Sequence, residues 1–283
     1  MTGTATGPLR LGLQIESTGL GGDPRIFGDL ARRAEEAGWD GIFLSDPGYP
    51  TAGSAGAREI CDMWLALAAI AQATERIRFG TLITPLPRYH PYEVALRSTS
   101  LDHLSDGRLE LTVGAGHGKA FEKLGLDLSG RVSRFREALE IITRLWTQDT
   151  VTFEGRHYTL SDIGLTPRPI QAPIPLRVCA WNRTTSVDVA TRYGGLHWPH
   201  YHAGESCDER GCFDRIASIR DRIGPEASFS IEGIHGSPDA PPELVRMFED
   251  AGVTWWFETA FSYQLPESDP DGLRSRIERG PPR

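Results

Sequence analysis

Residues 77–114 read IRFGTLITPLPRYHPYEVALRSTSLDHLSDGRLELTVG and contain a complete strand–helix–strand unit. The apolar and β-branched run Ile77–Ile83 predicts a strand. A helix is predicted over about Pro91–Leu104, with proline in its first turn. The run Arg108–Gly114 predicts the next strand. A strand, a helix and a strand in this order indicate parallel strands joined by a right-handed crossover.

The same unit recurs on both sides of this stretch. Further strands are predicted at Leu9–Ile15, Gly41–Ser45, Leu176–Ala180, Leu196–Trp198, Ser228–Ile234 and Thr254–Thr259. Further helices are predicted at about Pro24–Gly38, Asp62–Thr74, Ser129–Trp146, Thr184–Tyr193, Phe213–Ile223, Pro241–Ala251 and Asp271–Arg279. Eight strand–helix pairs predict an α/β fold, a single (β/α)8 TIM barrel. An open doubly wound sheet is the alternative.

One segment interrupts the alternation. Val151–Leu160 predicts a hairpin around Glu154-Gly155, followed by a proline-rich connector to Pro175. We interpret about 149–175 as an insertion after the fourth helix. The domain prediction is a single barrel over 9–283, preceded by a disordered tail at 1–8.

Composition and charge exclude some classes of function. The chain has 283 residues, 39% of them hydrophobic, and a formal net charge of -8. Without a basic excess it lacks the means for broad binding to nucleic-acid phosphates. No run approaches the roughly 18 apolar residues of a membrane span, and the first residues do not resemble a signal peptide. We therefore expect a cytoplasmic protein, whose four cysteines are thiols.

The interior of such a barrel is packed solid, so chemistry is expected where the strands end. The predicted strand ends place Glu16, Asp46, Thr84, His117, Ala180, Trp198, Glu232 and Glu258 at this end of the barrel.

Several motifs in order resemble those of the bacterial luciferase-like oxidoreductases. They are Ile77–Pro85, Arg88-Tyr-His-Pro91, Leu101–Leu111, Gly114-Ala-Gly116, Arg134–Glu140, Phe153–Tyr158 and Pro167-Arg-Pro169. The resemblance implies a barrel that binds FMN or the deazaflavin coenzyme F-420. It also implies an oxidoreductase that acts on a small organic substrate, as a monooxygenase or as a hydride-transferring dehydrogenase or reductase.

The resemblance also assigns binding roles. Relatives carry a non-prolyl cis peptide behind the flavin ring, which corresponds here to Leu82, Ile83 and Thr84. Gly114 and Gly116 would let the cofactor approach the backbone. The phosphate-binding stretch corresponds to Ala180, Trp181, Asn182, Arg183 and Thr184, where a helix N-terminus faces the anion.

The second strand departs from the pattern of many relatives. These have Asp-His, whereas this chain has Asp46-Pro47. Asp46 fits a cofactor-binding role, but proline cannot transfer a proton. His117, His90, Glu16 and Glu232 are the candidate catalytic residues that could substitute for the missing histidine.

Other interpretations stay open. Asp46 could cap a turn, His90 could open the third helix, and Glu16 and Glu232 could pair with arginines. The chain could be a non-catalytic flavin-binding barrel. A metal-dependent hydrolase would need the cluster His197, His200, His202, Cys207 and Cys212, although its spacing matches no closed zinc pattern. We expect no metal site. The resemblance allows a homodimer, with Met63-Trp64 as an apolar anchor.

Overall fold

The computed structural model describes residues 8–46, 59–180, 184–198, 209–224, 227–232, 242–261 and 270–282. Only the backbone is described at 184–186, 209–212, 231–232, 244, 260–261 and 270–271. Eight parallel strands form a closed barrel in the order β1-β10-β9-β8-β7-β4-β3-β2. The predicted (β/α)8 TIM barrel is therefore confirmed, and the open doubly wound sheet is wrong because the sheet closes on itself.

The barrel strands are β1 (Arg10–Glu16), β2 (Gly41–Ser45), β3 (Arg78–Pro85), β4 (Leu109–Gly114), β7 (Leu176–Cys179), β8 (Gly195–Trp198), β9 (Ser228–Glu232) and β10 (Trp255–Phe261). The helices are α1 (Arg25–Glu36), α2 (Met63–Ala73), α3 (Pro91–Leu104), α4 (Gly118–Lys123), α5 (Arg131–Thr147), α6 (Thr184–Tyr193), α7 (Glu209–Ile223), α8 (Pro242–Asp250) and α9 (Pro270–Glu278). A 3-10 turn, Leu86–Arg88, follows β3. Predicted and observed bounds differ by a few residues, and the short helix α4 was not predicted.

The described residues fall into two compact units. One unit comprises 1–15, 30–43 and 176–283, and the other comprises 16–29 and 44–175.

A buried arginine organises the interior of the first unit. Arg177 is 1% exposed, and its guanidinium lies 5.4 Å from the ring of Phe43, 5.8 Å from that of Trp255 and 5.7 Å from that of Phe257. A cation over aromatic faces is attracted by the ring quadrupole. Glycine at nearby strand positions gives these rings room. A Cβ on Gly12 would lie 2.5 Å from Phe257, and one on Gly41 would lie 2.7 Å from Trp255.

Two residues of the motif at 101–111 make hydrogen bonds that stabilise the second unit. Asp102 is fully buried, and its carboxylate accepts hydrogen bonds from the backbone N–H and the side-chain amide of Gln171. Arg108 donates to the carbonyl oxygens of Ala71 and Thr74 at the end of α2. Because the last carbonyls of a helix have no partner within it, Arg108 caps α2. These polar residues therefore have structural partners.

The segment that was predicted to be a hairpin forms antiparallel strands β5 (Val151–Glu154) and β6 (Thr159–Ile163). Glu137 of α5 accepts hydrogen bonds from the backbone N–H groups of Arg156, His157 and Tyr158 in its turn. The side chain of His157 also lies 2.7 Å from the Ser133 hydroxyl oxygen. The tip of the hairpin is therefore fixed to α5.

Candidate active site at the strand ends

A three-residue polar cluster stands at the end of β2. Asp46, the residue after this strand, accepts a hydrogen bond from Arg88 at 2.8 Å on Oδ1 and one from the Tyr89 hydroxyl at 2.6 Å on Oδ2. The Asp46 side chain is 8% exposed and that of Arg88 is 13% exposed. Little water competes for the ion pair, so the carboxylate is held in one orientation. Asp46 accordingly pairs with an arginine and a tyrosine, and no turn-capping contact of its carboxylate is observed in the described part of the chain.

Tyr89 is itself enclosed by aromatic and cationic groups. Trp64 packs edge-to-face on it, with 6.3 Å between the ring centroids, and the guanidinium of Arg97 lies 5.8 Å from its ring. Burial, followed by the nearby Asp46 carboxylate, raises the pKa of Tyr89 above its ordinary value of 10. The hydroxyl therefore stays protonated and acts as a hydrogen-bond donor.

The backbone is irregular at the end of β3. The Leu82–Ile83 peptide bond is cis, at the position where the resemblance predicts a cis bond. Leu82 pairs with Thr112 and Thr84 pairs with Val113, so Ile83 is an extra residue that bulges from the ladder. Thr84 is fully buried as a result.

Several buried donors near these strand ends have no partner. Within the described residues, no group hydrogen-bonds to Oγ1 of Thr18, Oγ of Ser45, Oγ1 of Thr84 or Nε1 of Trp64. Their elements are related in space, because the Ser17 hydroxyl donates to the carbonyl oxygen of Ser45 and β2 neighbours β3. Buried polar groups in folded proteins are almost always satisfied, and an exception calls for a water or a ligand. Three hydroxyls at the ends of β1–β3 therefore fit a polar ligand.

The glycine-rich loop after β4 is closely packed. Gly116 has φ of +74°, and a Cβ there would lie 2.7 Å from the Pro85 Cβ. Its carbonyl oxygen accepts a hydrogen bond from Arg131 at 2.6 Å. Packing against β3 is thus enough to require glycine at 116. Gly114 ends β4 and is buried, whereas His117 is exposed at the start of α4.

The histidine and glutamate candidates have different surroundings. Nδ1 of His90 accepts a hydrogen bond from the backbone N–H of Tyr92, so His90 is the N-cap of α3. Its ring also packs edge-to-face on Tyr158 of the hairpin, at 5.8 Å. The helix-opening interpretation of His90 is therefore observed. Glu16 is the last residue of β1 and is half-buried.

The remaining candidates belong to the first unit. Ala180 follows β7 and is buried, and its N–H donates to the carbonyl oxygen of His197. Thr184 begins α6, as predicted. Glu232 ends β9, but its side chain is outside the described residues, as are Trp181, Asn182 and Arg183. Trp198 ends β8 and is 3% exposed.

The contacts of two buried side chains bear on the alternative roles. His197 is fully buried, and its Nδ1 lies 2.9 Å from the Ser230 hydroxyl oxygen, while the other members of the proposed zinc cluster lie outside the described residues. Glu258 forms a buried ion pair with Arg276 of α9. Across the described ranges, no group of three or more acidic, histidine or cysteine side chains could hold a metal ion.

Sequence reasoning missed Arg88 and Tyr89 as site residues, although they stand in the Arg88-Tyr-His-Pro91 motif. Their side-chain directions depend on the 3-10 turn after β3, and a turn this short has no periodic sequence pattern from which it could be predicted. Met63 and Trp64, expected as surface anchors, are 4% and 6% exposed and cannot serve as such. No helix within the described ranges is long and apolar enough to cross a membrane.

A closed parallel barrel with polar groups at its strand ends defines a (β/α)8 protein, the class of fold in which active sites lie at that end. Residues 9–235 match the luciferase-like monooxygenase family, and the chain belongs to this family.

Relatives and solved structures agree with this assignment. The chain is 39% identical over 191 residues to an F420-dependent glucose-6-phosphate dehydrogenase of Beutenbergia cavernae, which covers 66% of this chain and 54% of the relative. It is 36% identical over 181 residues to the enzyme of the same name from Intrasporangium calvum, with 61% of this chain and 52% of the relative covered. The matched part thus spans about half of these relatives.

The fold matches solved structures over nearly the whole chain. The monooxygenase RslO1 from Streptomyces bottropensis has a TM-score of 0.73 at 20% identity, covering 95% of this chain and 96% of that one. The coenzyme F420 dependent tetrahydromethanopterin reductase from Methanopyrus kandleri has a TM-score of 0.72 at 16% identity, covering 96% and 97%. At these identities the likeness establishes the barrel fold.

Proposed function

We propose that this chain is an oxidoreductase that binds a flavin-type cofactor at the carboxyl ends of β1–β4 and acts on a small organic substrate. Membership of the luciferase-like family supports the class of reaction. Deazaflavin is preferred over FMN, because the relatives with 30–39% identity are named as F420-dependent dehydrogenases. Hydride transfer is accordingly preferred over oxygen activation.

The observation that carries the proposal is the set of unpartnered hydroxyls on Thr18, Ser45 and Thr84. The ring of a flavin or deazaflavin presents carbonyl oxygens and ring nitrogens along one edge. Hydroxyl groups can donate to such oxygens and accept from a ring N–H. A bound ring would therefore satisfy groups that the described chain leaves without partners.

Some of the residues would bind the cofactor, and others would accept a proton during the reaction. When bound, the cofactor supplies a carbon that gives or takes a hydride. Asp46, fixed by Arg88 and Tyr89, would accept a hydrogen bond from the ring. Leu82, Ile83 and Thr84 would back the ring, and Gly114 and Gly116 would leave room for it. The resemblance assigns phosphate binding to Ala180, Trp181, Asn182, Arg183 and Thr184, at the N-terminus of α6.

A proton must also move when a hydroxyl substrate is oxidised. His117, Glu16 and Glu232 stay candidates for the group that takes it. His90 is a weaker candidate, because its Nδ1 already accepts a hydrogen bond as the N-cap of α3. The hairpin, fixed by Glu137, would form a wall that excludes water.

The test is a titration of purified protein, separately with deazaflavin and with FMN, followed by quenching of cofactor fluorescence. Saturable binding of deazaflavin, and its reduction by a hydroxyl-bearing substrate, would support the proposal. A sugar phosphate is the first substrate to try, since the relatives are named as glucose-6-phosphate dehydrogenases. Oxygen uptake by the protein loaded with reduced FMN would instead favour a monooxygenase.

One sequence feature favours a second function, a barrel that binds a flavin without turnover. Pro47 stands where many relatives have a histidine, and it carries no titratable group. Binding without reduction of any acceptor, in both the natural chain and a Pro47→His variant, would establish this second function. Activity of the natural chain would reject it.

We also propose a homodimer formed through α2 and α3. In this pair of helices Leu65 is 60% exposed and Leu96 is 44% exposed, and α2 is apolar on all sides. A helix of that kind is normally covered. Solution mass should be twice 31.2 kDa, and Leu65→Glu should halve it. A 31.2 kDa species alone would reject the dimer.

A further inference from the structure

The orientation of Asp46 depends on two adjacent residues from one short turn. Arg88 ends the 3-10 turn and Tyr89 follows it, so both side chains arise directly after β3. They reach across to the end of β2 and bind the same carboxylate on different oxygens. The turn therefore ties two neighbouring strand ends together through Asp46.

The two donors make different contributions. Arg88 supplies a compensating charge through one N–H at 2.8 Å. Tyr89 supplies the shorter hydrogen bond, 2.6 Å, to the other oxygen. Two donors on two oxygens fix the plane of the carboxylate as well as its position. A carboxylate oxygen has two acceptor directions, so each oxygen of Asp46 keeps one for a further donor.

Tyr89 is suited to a fixed role because its own ring is immobilised. Trp64 packs perpendicular to it, at an interplanar angle of 89°, and guanidinium groups of Arg88 and Arg97 lie 5.5 and 5.8 Å from its centre. The ring has few alternative rotamers in such a packed setting. Its hydroxyl is therefore directed at Asp46 by the packing of the ring.

We infer that Tyr89 is a positioning residue: its hydroxyl fixes the Asp46 carboxylate so that the remaining acceptor positions meet a ring N–H of the bound deazaflavin. This inference rests on the proposed function. Pro47, next to Asp46, offers no side-chain donor to share the task.

The experiment is a double-mutant cycle on cofactor affinity in the full-length chain. The variants are Tyr89→Phe, which keeps the ring and removes the hydroxyl, Asp46→Asn, and the two combined. Tyr92→Phe is the matched control, because the Tyr92 hydroxyl makes no hydrogen bond within the described ranges. Deazaflavin Kd is measured by fluorescence quenching and thermal midpoint by circular dichroism.

The positioning role predicts coupled effects. Tyr89→Phe and Asp46→Asn should each raise the deazaflavin Kd by about tenfold, the size expected for one hydrogen bond to a charged group. Their combination should raise it no further than the larger single effect, and Tyr92→Phe should leave it unchanged. Independent, multiplying effects on Kd, or a lower thermal midpoint with unchanged Kd, would assign Tyr89 a purely structural role and overturn the inference.

A crystal structure of each ligand-free protein separates this inference from the proposed function. If the natural chain bound neither cofactor, the proposed function would be lost. The contact with the cofactor would be lost with it, and only the positioning of Asp46 by Tyr89 would be left to test. A changed Asp46 rotamer in Tyr89→Phe would support the positioning effect, and an unchanged rotamer held by Arg88 would reject it.

Discussion

Glu258 of β10 and Arg276 of α9 form a buried ion pair, with the Arg276 Nε 2.6 Å from Oε1 and a second contact on Oε2. Arg276 also lies 5.0 Å from the ring of Trp39 and donates to the carbonyl oxygen of Gly280. The pair therefore ties the last helix to the last strand of the barrel. It also removes Glu258 from the set of strand-end carboxylates that are available for chemistry.

Glu258→Gln should destabilise the fold strongly, because it leaves a buried guanidinium without its counter-charge. We expect the free energy of unfolding to fall by about 3–5 kcal/mol. The control is Glu36→Gln, which breaks the exposed Arg32–Glu36 pair and should cost less than about 0.5 kcal/mol. Urea unfolding at neutral pH measures both. Similar losses in the two variants would mean that the Glu258–Arg276 pair is not a buried brace.

Gly116→Ala and Gly125→Ala form a matched pair with positive φ. Gly125 has φ of +65° and open space around it, so alanine should cost only the conformational penalty of about 1 kcal/mol. At Gly116 a Cβ would also meet Pro85 at 2.7 Å and Phe121 at 3.0 Å, which adds about 1–3 kcal/mol. Urea unfolding checks the difference. Equal costs would show that the loop after β4 can move away from β3.

Substitutions of two threonines of β3 should separate an effect on cofactor binding from an effect on the stability of the fold. Thr84→Val removes a buried hydroxyl without a partner in the described chain, so we expect stability within about 0.5 kcal/mol of the natural value and roughly tenfold weaker deazaflavin binding. The Thr81 hydroxyl donates to the carbonyl oxygen of Thr112 at 3.0 Å. Thr81→Val should therefore lose about 1 kcal/mol of stability and keep its cofactor affinity. The reverse pattern would contradict the assignment of Thr84 to the site.

Tyr89 should make stability fall at alkaline pH. Its pKa is raised in the folded state, so its contribution is complete below the unfolded-state pKa of about 10 and is lost as pH rises above it. The natural chain should lose up to about 1.4 kcal/mol more per pH unit above that point than Tyr89→Phe. Urea unfolding at a series of alkaline pH values, with Tyr92→Phe as the control, measures this. Parallel curves for the natural chain and Tyr89→Phe would reject the shift.

The order of strands and helices was predictable because buried parallel strands and amphipathic helices differ in length and period. Helix α4 was missed, since six residues carry too little periodicity to be recognised. Successive side chains of a strand point to opposite faces. Trp255 and Phe257 pack around Arg177, so Glu258 faces the opposite side of the strand.

The place of the candidate site could be proposed from the sequence, but not all of its residues. The rule that chemistry lies at strand ends selects Asp46 and Leu82–Thr84, and the structure shows unpartnered hydroxyls on Ser45 and Thr84 in the same segments. It does not reveal which side chains hold Asp46, because Arg88 and Tyr89 act through a short turn. For His90, the Pro91 that follows it was the signal for an N-cap.

Equilibrium binding measures whether this barrel holds a deazaflavin through Asp46 and Thr84, as we propose. Purified natural chain, Asp46→Asn, Thr84→Val and Thr81→Val are titrated with deazaflavin and followed by fluorescence quenching. We expect saturable binding by the natural chain and by Thr81→Val, with about tenfold weaker binding by the other two variants. Absence of binding to the natural chain, or equal affinity in all four proteins, would contradict it.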